Sequence, residues 1–410
     1  MLLRITDGTT TITLNNDGGS VSTGLIGARY FPITGDGETT TEPITVAFAG
    51  TSSNALSSIR EIKRLLSDAK VRQTEMGNAR VYLEYQISSS DSVYRSEIID
   101  GRDDWGESKQ LRQIYESDVA GELTLFIERL DWWEASASVS VGSATIRNGN
   151  TSPYNIVTLS TIPGSLPTPL SIECVNAAGA TLNARSFYLN VDAFAGMTTN
   201  QHLLIPSTAT VSWTGSTTHS SILYALPLSA TILSKLAGKS INVIAAFSSI
   251  TSGIYLRAGL YSSYGGVYAP LNTANEQYVV SSRTMFDLGT LEVPKVATGG
   301  LVVVITAYAT VTGSATLSFA QVAPSSNAMK LEAAYTMAVG EKVGHDAIED
   351  VAYFVSGGVN YPTVRKSGGP LFAYPGRTNR LHLLFDEHGS FNASRQMTVT
   401  VACRPRRRSI

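Results

Sequence analysis

Val81-Tyr82-Leu83-Glu84-Tyr85-Gln86-Ile87, Tyr94-Arg95-Ser96-Glu97-Ile98-Ile99-Asp100-Gly101 and Glu122-Leu123-Thr124-Leu125-Phe126-Ile127-Glu128-Arg129-Leu130 are the runs that decide the fold of this chain. In each, apolar and polar residues alternate and β-branched and aromatic side chains dominate, the period of a strand with one buried face. Gly101 is expected to open a turn after the second run. The third run closes on Asp131-Trp132-Trp133-Glu134. Neighbours on a strand face opposite ways, so one indole belongs in the core and the other on a surface, where Trp132 or Trp133 is a candidate contact between subunits.

Upstream of these strands lies the clearest helical pattern. Leu56, Ile59, Ile62, Leu65, Leu66 and Ala69 recur at helical spacing, while Arg60, Glu61, Lys63, Arg64 and Asp68 fall largely on the other face. The pattern predicts a helix over 55–69 with Ser53 or Asn54 as its cap. A lone amphipathic helix among strands must lay its apolar stripe on a sheet, and the strand after Arg80 is the nearest. Its charged face is expected in solvent, with an ion pair to a neighbouring subunit as the sharper alternative.

The chain has 410 residues, enough for two or three domains at roughly 100–200 residues each. Charged residues are 16% of it, against roughly 25% in an average domain, and Ser, Thr, Gly and Asn take their place. That composition suits strands joined by turns and neutral surfaces that neighbouring subunits cover. A net charge of -2 supplies no field for nucleic acid or an anionic membrane, so specific nucleic-acid binding is not expected. No stretch reaches the ~18 apolar residues of a membrane span, and no secretory signal is evident, which places synthesis in the cytoplasm. Cys174 and Cys403 sit in apolar β-like runs and are expected to be buried free thiols in preference to a disulfide.

Working outward, residues 1–50 are short strands punctuated by the Asn15-Asn16-Asp17-Gly18-Gly19 turn. The proline-rich segment Thr161-Ile162-Pro163-Gly164-Ser165-Leu166-Pro167-Thr168-Pro169 cannot continue a ladder and marks a domain boundary near residue 165. From Leu170 to about Met329 many short strands with almost no helix predict an inserted antiparallel β-sandwich of the jelly-roll kind. The strands after Ala333 are near the lower limit for a core of their own, so they are expected to return and complete the first domain. The expected architecture is mainly β: a β-sandwich domain with one packed helix in 1–165, the inserted sandwich in 166–332, and the return segment 333–410.

No motif spells a reaction. His202, His219, His345, His382 and His388 form no metal-binding pair; Asp386-Glu387-His388-Gly389 fits an exposed turn better than a metal site, and His345-Asp346 with Glu349-Asp350 is a similarly weak metal candidate. With no nucleophile elbow, phosphate loop or dinucleotide fingerprint, neither an enzyme nor a cofactor is expected. Unplaced carboxylates leave a polysaccharide-degrading enzyme as a remote alternative. Tyr261, Tyr264 and Tyr268, clustered behind Tyr255, are candidates for stacking on a sugar ring, against packing on their own domain. Arg404, Arg406, Arg407 and Arg408 form a basic tail, expected to be solvated or strapped onto a neighbouring subunit's carboxylates.

The order helix, Val81-Tyr82-Leu83-Glu84-Tyr85, Tyr94 to Gly101, then Asp131-Trp132-Trp133-Glu134 resembles structural tail proteins of long-tailed bacteriophages, of the distal-tail or tail-tube type. The closing pattern of Pro375-Gly376 and Asn379-Arg380-Leu381, then a last strand into Arg404-Pro405-Arg406, looks like the final strands of the same domain. Phe286-Asp287-Leu288-Gly289 and the run from Thr316 to Pro324 are similar to jelly-roll modules that such proteins carry. The resemblance implies a ring-forming homo-oligomer, hexameric or pseudo-sixfold, in or at the tip of the virion tail, partnered by other tail proteins. It carries over no catalytic residue. The alternative reading is host attachment, with the inserted sandwich binding a cell-surface glycan.

Overall fold

A computed structural model describes residues 1–410 apart from 36, 76–78, 105–118, 149–154, 178, 193–202, 205–209, 216–219, 265–266, 296–299 and 362–363. The chain divides into two compact units, one of residues 1–139, 163–166 and 404–410, the other of 140–162 and 167–403.

In the first unit the elements are β1 (Leu2–Thr6), β2 (Thr11–Asn16), β3 (Leu25–Arg29), β4 (Thr39–Gly50), α1 (Ser52–Arg72), β5 (Tyr82–Gln86), β6 (Tyr94–Asp103), β7 (Val119–Leu130) and β8 (Trp133–Ala135). The strands pair in the order β2-β1-β5-β6-β7-β4-β3, with β8 on β6. Helix α1 buries Leu56, Ile59, Ile62, Leu65 and Leu66, the predicted stripe. It begins a turn earlier than its periodicity suggests, at an N-cap Thr51 whose side chain makes no capping bond, so neither Ser53 nor Asn54 is the cap. The helix lies mainly on β6, and Gly101 is a strand residue there, not a turn. A Cβ at Gly101 would sit 2.6 Å from Leu66 Cδ2, so glycine sets how closely helix and sheet approach. The charged face of α1 finds carboxylates on β6, Lys63 with Asp103 at 3.1 Å and Lys70 with Asp100 at 3.2 Å.

The second unit carries two sandwiches. Its strands are β9 (Val139–Arg147), β10 (Ile156–Thr158), β11 (Thr168–Asn176), β12 (Leu182–Asp192), β13 (Leu203–Leu204), β14 (Thr210–Trp213) and β15 (Ser220–Pro227), followed by helix α2 (Ala230–Leu236). Then come β16 (Ser240–Ile250), β17 (Tyr255–Tyr264), β18 (Val267–Thr273), β19 (Gln277–Tyr278), β20 (Met285–Glu292), β21 (Leu301–Tyr308), β22 (Gly313–Pro324) and β23 (Ala328–Met337). The last are β24 (Lys342–Asp346), β25 (Val351–Ser356), β26 (Val359–Tyr361), β27 (Arg365–Ser367), β28 (Phe372–Ala373), β29 (Arg380–Glu387) and β30 (Gln396–Cys403).

One sandwich sets sheet β10-β29-β12-β23-β27 against sheet β26-β25-β24-β11-β30-β9 around a core in which Phe187 and Phe385 stack at 6.1 Å. The other sets β13-β22-β16-β20 against β15-β21-β17-β18, with Phe247 and Phe286 edge to face at 5.9 Å. It is inserted between β12 and β23, which are themselves antiparallel neighbours with Asn190 opposite Ala328. Both ends of the insertion therefore leave from one place, and the host sheet is not interrupted. The mainly β class, the packed helix and the inserted antiparallel sandwich all stand.

The domain limits differ from the expectation. Strands β24 and β30 pair with β11, and β29 pairs with β10 and β12, so the returning segment joins the second unit. Only Arg404–Ile410 rejoins the first. Alternation in 333–403 marks strands with one buried face, but any sheet with a complementary face satisfies it. Cys174 and Cys403 are buried and free, as expected. On the paired strands Cys174 faces Val399 and Cys403 faces Leu170, four residues further along β11, roughly 13 Å and beyond disulfide reach.

Candidate interaction surfaces

The basic tail folds onto its own unit. Arg406 and Arg407 form a short strand against Glu134 and Trp133 of β8, while the Arg406 carbonyl accepts the Ser165 and Leu166 amides at 2.9 and 3.2 Å. Gly164, at φ +105°, allows this: a Cβ there would stand 2.3 Å from that carbonyl. Arg95 donates two bonds to Glu134 at 2.9 and 3.0 Å, with Arg404 at 3.9 Å and Arg406 at 3.8 Å. Burial pushes the Arg406 guanidinium down from its ordinary pKa, and Glu134 opposes that shift. Arg406 also lies over Trp132 at 5.0 Å and Arg407 over Tyr94 at 4.2 Å. The carboxylate that receives the strap is thus the chain's own Glu134, and Arg408 is exposed. Trp133 is fully buried and Trp132 half-buried, the expected alternation.

Beneath the segment 30–35 lies a buried polar network. Glu42 and Arg129, both fully buried, form an ion pair. Glu42 also accepts the Tyr30 hydroxyl and, at 2.7 Å, the Ile33 amide. Arg129 donates to the Ile33 carbonyl at 3.0 Å and the Leu130 carbonyl at 2.7 Å, and its guanidinium lies 4.3 Å from the Trp133 ring. Asp131 accepts the Gly35 amide at 2.8 Å and the Thr40 hydroxyl at 2.7 Å. Burial drives the Tyr30 phenol far above its usual range, so it remains a donor. With every charge answered, this network fixes the backbone of a segment that exposes two large apolar side chains, Phe31 at 83% and Ile33 at 46%. Sequence reasoning missed this patch because Phe31-Pro32-Ile33 follows neither the strand nor the helix period. An unpaired apolar run beside a turn was the available signal.

On the inserted sandwich, Tyr261 belongs to β17, half-buried, opposite Pro270 and Val302. The side chains of Tyr264 and Tyr268 lie outside the described residues. Other tyrosines gather: Tyr255 is directly opposite Tyr278 of β19 on one side and Tyr308 of β21 on the other. They are 43%, 49% and 37% exposed, with the Tyr255 and Tyr278 rings 5.0 Å apart. Tyr278 and Tyr308 are distant in sequence, so only register brings them to Tyr255.

The histidine clusters resolve into local structure. His388 and Gly389, at φ +54° and +86°, make a two-residue hairpin turn closed by Glu387 and Ser390 at 2.9 and 3.0 Å. His345 meets Asp350 at 2.9 Å, and burial lowers its pKa, favouring the neutral ring. His202 and His219 lie outside the described residues. Among the described residues no group of three or more His, Cys, Asp and Glu is placed to hold a metal ion, and no helix is long and apolar enough to cross a membrane.

No protein-family model matches the chain, and no curated protein matches it. Among solved structures it is similar to the Dit protein of phage SPP1, described as a paradigm of the hub adsorption apparatus in phages infecting Gram-positive bacteria, at 9% identity and a TM-score of 0.29 over 99% of both chains. It is also similar to a chain of the phage P2 baseplate in its activated conformation with calcium, at 8% identity and a TM-score of 0.29 over 100% of this chain and 99% of that one. For the strontium form the identity is 9% and the TM-score 0.24, over 98% and 97%.

Proposed function

We propose that the chain is a non-catalytic virion structural protein that forms a ring in or at the tip of a long phage tail, assembling there with other tail proteins. Its inserted sandwich serves as an accessory module of the jelly-roll type. The sequence resemblance and the charge-poor composition support this reading. The observation that carries it is the apolar segment around Phe31, displayed on a backbone that a buried ion pair holds still. A ring needs the same patch on every copy seated against a different surface of the next. A rigid aromatic anchor suits that role, because little conformational entropy is lost when it docks.

Phe31→Asp tests the proposal. The side chain is 83% exposed, so the substitution leaves folding intact. Velocity sedimentation and negative-stain electron microscopy of the full chain are expected to show rings for the unaltered protein and monomers for Phe31→Asp. An unaltered protein that stays monomeric at high concentration, and is absent from virions, refutes the reading.

A further inference from the structure

The outer face of one sheet in the inserted sandwich has the makings of a ligand site. Along β17, Leu256, Ala258 and Leu260 point into the core, so Tyr255, Arg257 and Tyr261 share the opposite face. Residues directly opposite on paired strands face the same way, which brings Tyr278 and Tyr308 to that face. The result is a row Tyr278–Tyr255–Tyr308, one ring from each of three adjacent strands, spanning roughly 10 Å at the usual strand spacing. Tyr261 continues the face roughly 20 Å further along β17. Beside the row, Arg257 and Glu276 stand 3.6 Å apart.

We infer that this face binds a neutral polysaccharide, the Tyr278–Tyr255–Tyr308 row stacking on the C–H faces of sugar rings and the Arg257–Glu276 pair bonding to their hydroxyls. Charge complementarity selects the class of ligand. The guanidinium and the carboxylate cancel, so the pair favours neither an anion nor a cation, while together they offer the donors and acceptors that vicinal hydroxyls need. Area argues against a protein partner. The three partly exposed tyrosines, with Ile222 on the same face at 46% exposure, present on the order of 300–400 Å², short of the roughly 800 Å² each side of a stable protein interface buries. The Tyr255 and Tyr278 rings are tilted by 54° to each other, and the row is flanked by the Arg257–Glu276 pair. The inference rests on the inserted sandwich and is independent of the ring reading.

Affinity electrophoresis of the full chain through gels containing a soluble β-glucan, a galactomannan or dextran tests it, with an anionic polysaccharide as control. At least one neutral polymer is expected to retard the protein and the anionic one not to. Tyr255→Ala should weaken retardation about tenfold, the loss of one stacking contact of about 1.4 kcal/mol, and Tyr255→Ala/Tyr308→Ala should abolish it. Both variants are expected to keep the melting profile and the sedimentation behaviour of the unaltered chain. Retardation by none of the neutral polymers, or retardation that survives the double substitution, overturns the inference. So does loss of self-assembly in the tyrosine variants, which would make the face a contact between copies of the chain.

Discussion

Removing Glu42 should cost the first unit far more than an ordinary core substitution. In Glu42→Leu the fully buried Arg129 guanidinium keeps only the Ile33 and Leu130 carbonyls, while the Tyr30 hydroxyl and the Ile33 amide lose their acceptor. A buried charge stripped of its partner costs about 3–5 kcal/mol. Arg129→Met should cost a similar amount, since it leaves the carboxylate with two donors and no countercharge. In the double variant neither charge is buried. What remains unpaired are the Tyr30 hydroxyl and the Ile33 amide and carbonyl, because the Leu130 carbonyl still accepts the Ser96 hydroxyl at 2.8 Å. The Tyr30 hydroxyl and the Ile33 amide are already orphaned in Glu42→Leu, so the second change removes the stranded charge and adds only the Ile33 carbonyl, at about 1–3 kcal/mol, and the pair together should destabilise no more than Glu42→Leu alone. Urea titration monitored by hydrogen exchange of β4 and β7 peptides is the suitable assay, because a global signal would mix two units that need not unfold together. Additive losses in the double variant would refute the reasoning, since they would mean the two residues act independently. The Glu42 variant should also show faster exchange in 30–35 and weaker ring formation, because the same bonds hold that segment.

Other outcomes follow from the strap, the buried carboxylate and the thiols. Gly164→Ala, which places a methyl against the Arg406 carbonyl at a positive φ, should free Arg404–Ile410 and make the tail sensitive to trypsin, as mass spectrometry of limited digests would reveal. Burial raises the pKa of Asp386 despite the Ser186 amide bonded to it at 2.9 Å. The folded state therefore holds that proton more tightly than the unfolded chain, and this group's contribution to stability grows as pH falls through its folded value. Asp386→Asn should melt higher than the unaltered protein at pH ~7 and lose that advantage as the pH falls through the raised folded value and the native carboxyl takes up its proton. Burial pushes Cys174 up to about 12 and Cys403 up to about 11. At pH ~8 roughly one thiol in a thousand or fewer is then ionised, so Ellman's reagent should find neither cysteine in the folded protein and both in urea.

Most of the local structure was legible in the chain because it follows from the spacing of side chains. The stripe from Leu56 to Ala69 predicted α1, and the alternation around Tyr82, Ile98 and Leu125 predicted its sheet. Of the adjacent tryptophans one is buried, Trp133 in β8, and Trp132, in the bend before it, is half-buried, while the apolar surroundings of Cys174 and Cys403 foretold buried thiols outside any disulfide. Each of these is a property of neighbours along the backbone. Less was legible wherever a residue's meaning depends on a distant one. Arg404 and Arg406 read as cations in search of a carboxylate, and nothing local said it would be Glu134. Tyr255 was noticed for its near neighbours in sequence, yet its partners are Tyr278 and Tyr308.

By itself, then, the sequence determined that this protein is mainly β, has one long amphipathic helix, and is strand-rich from the proline-rich break onward. Periodicity and turn chemistry act over a few residues, so they leave their record in a linear string. Only the tertiary structure decided that 333–403 pairs with β9 to β12 and not with the opening strands, that Glu42 and Arg129 share a dry interior, and that three tyrosines line up on one face. Ladder register and charge burial join residues scores of positions apart, and which of many chemically acceptable partners is chosen depends on all the apolar faces being buried at once.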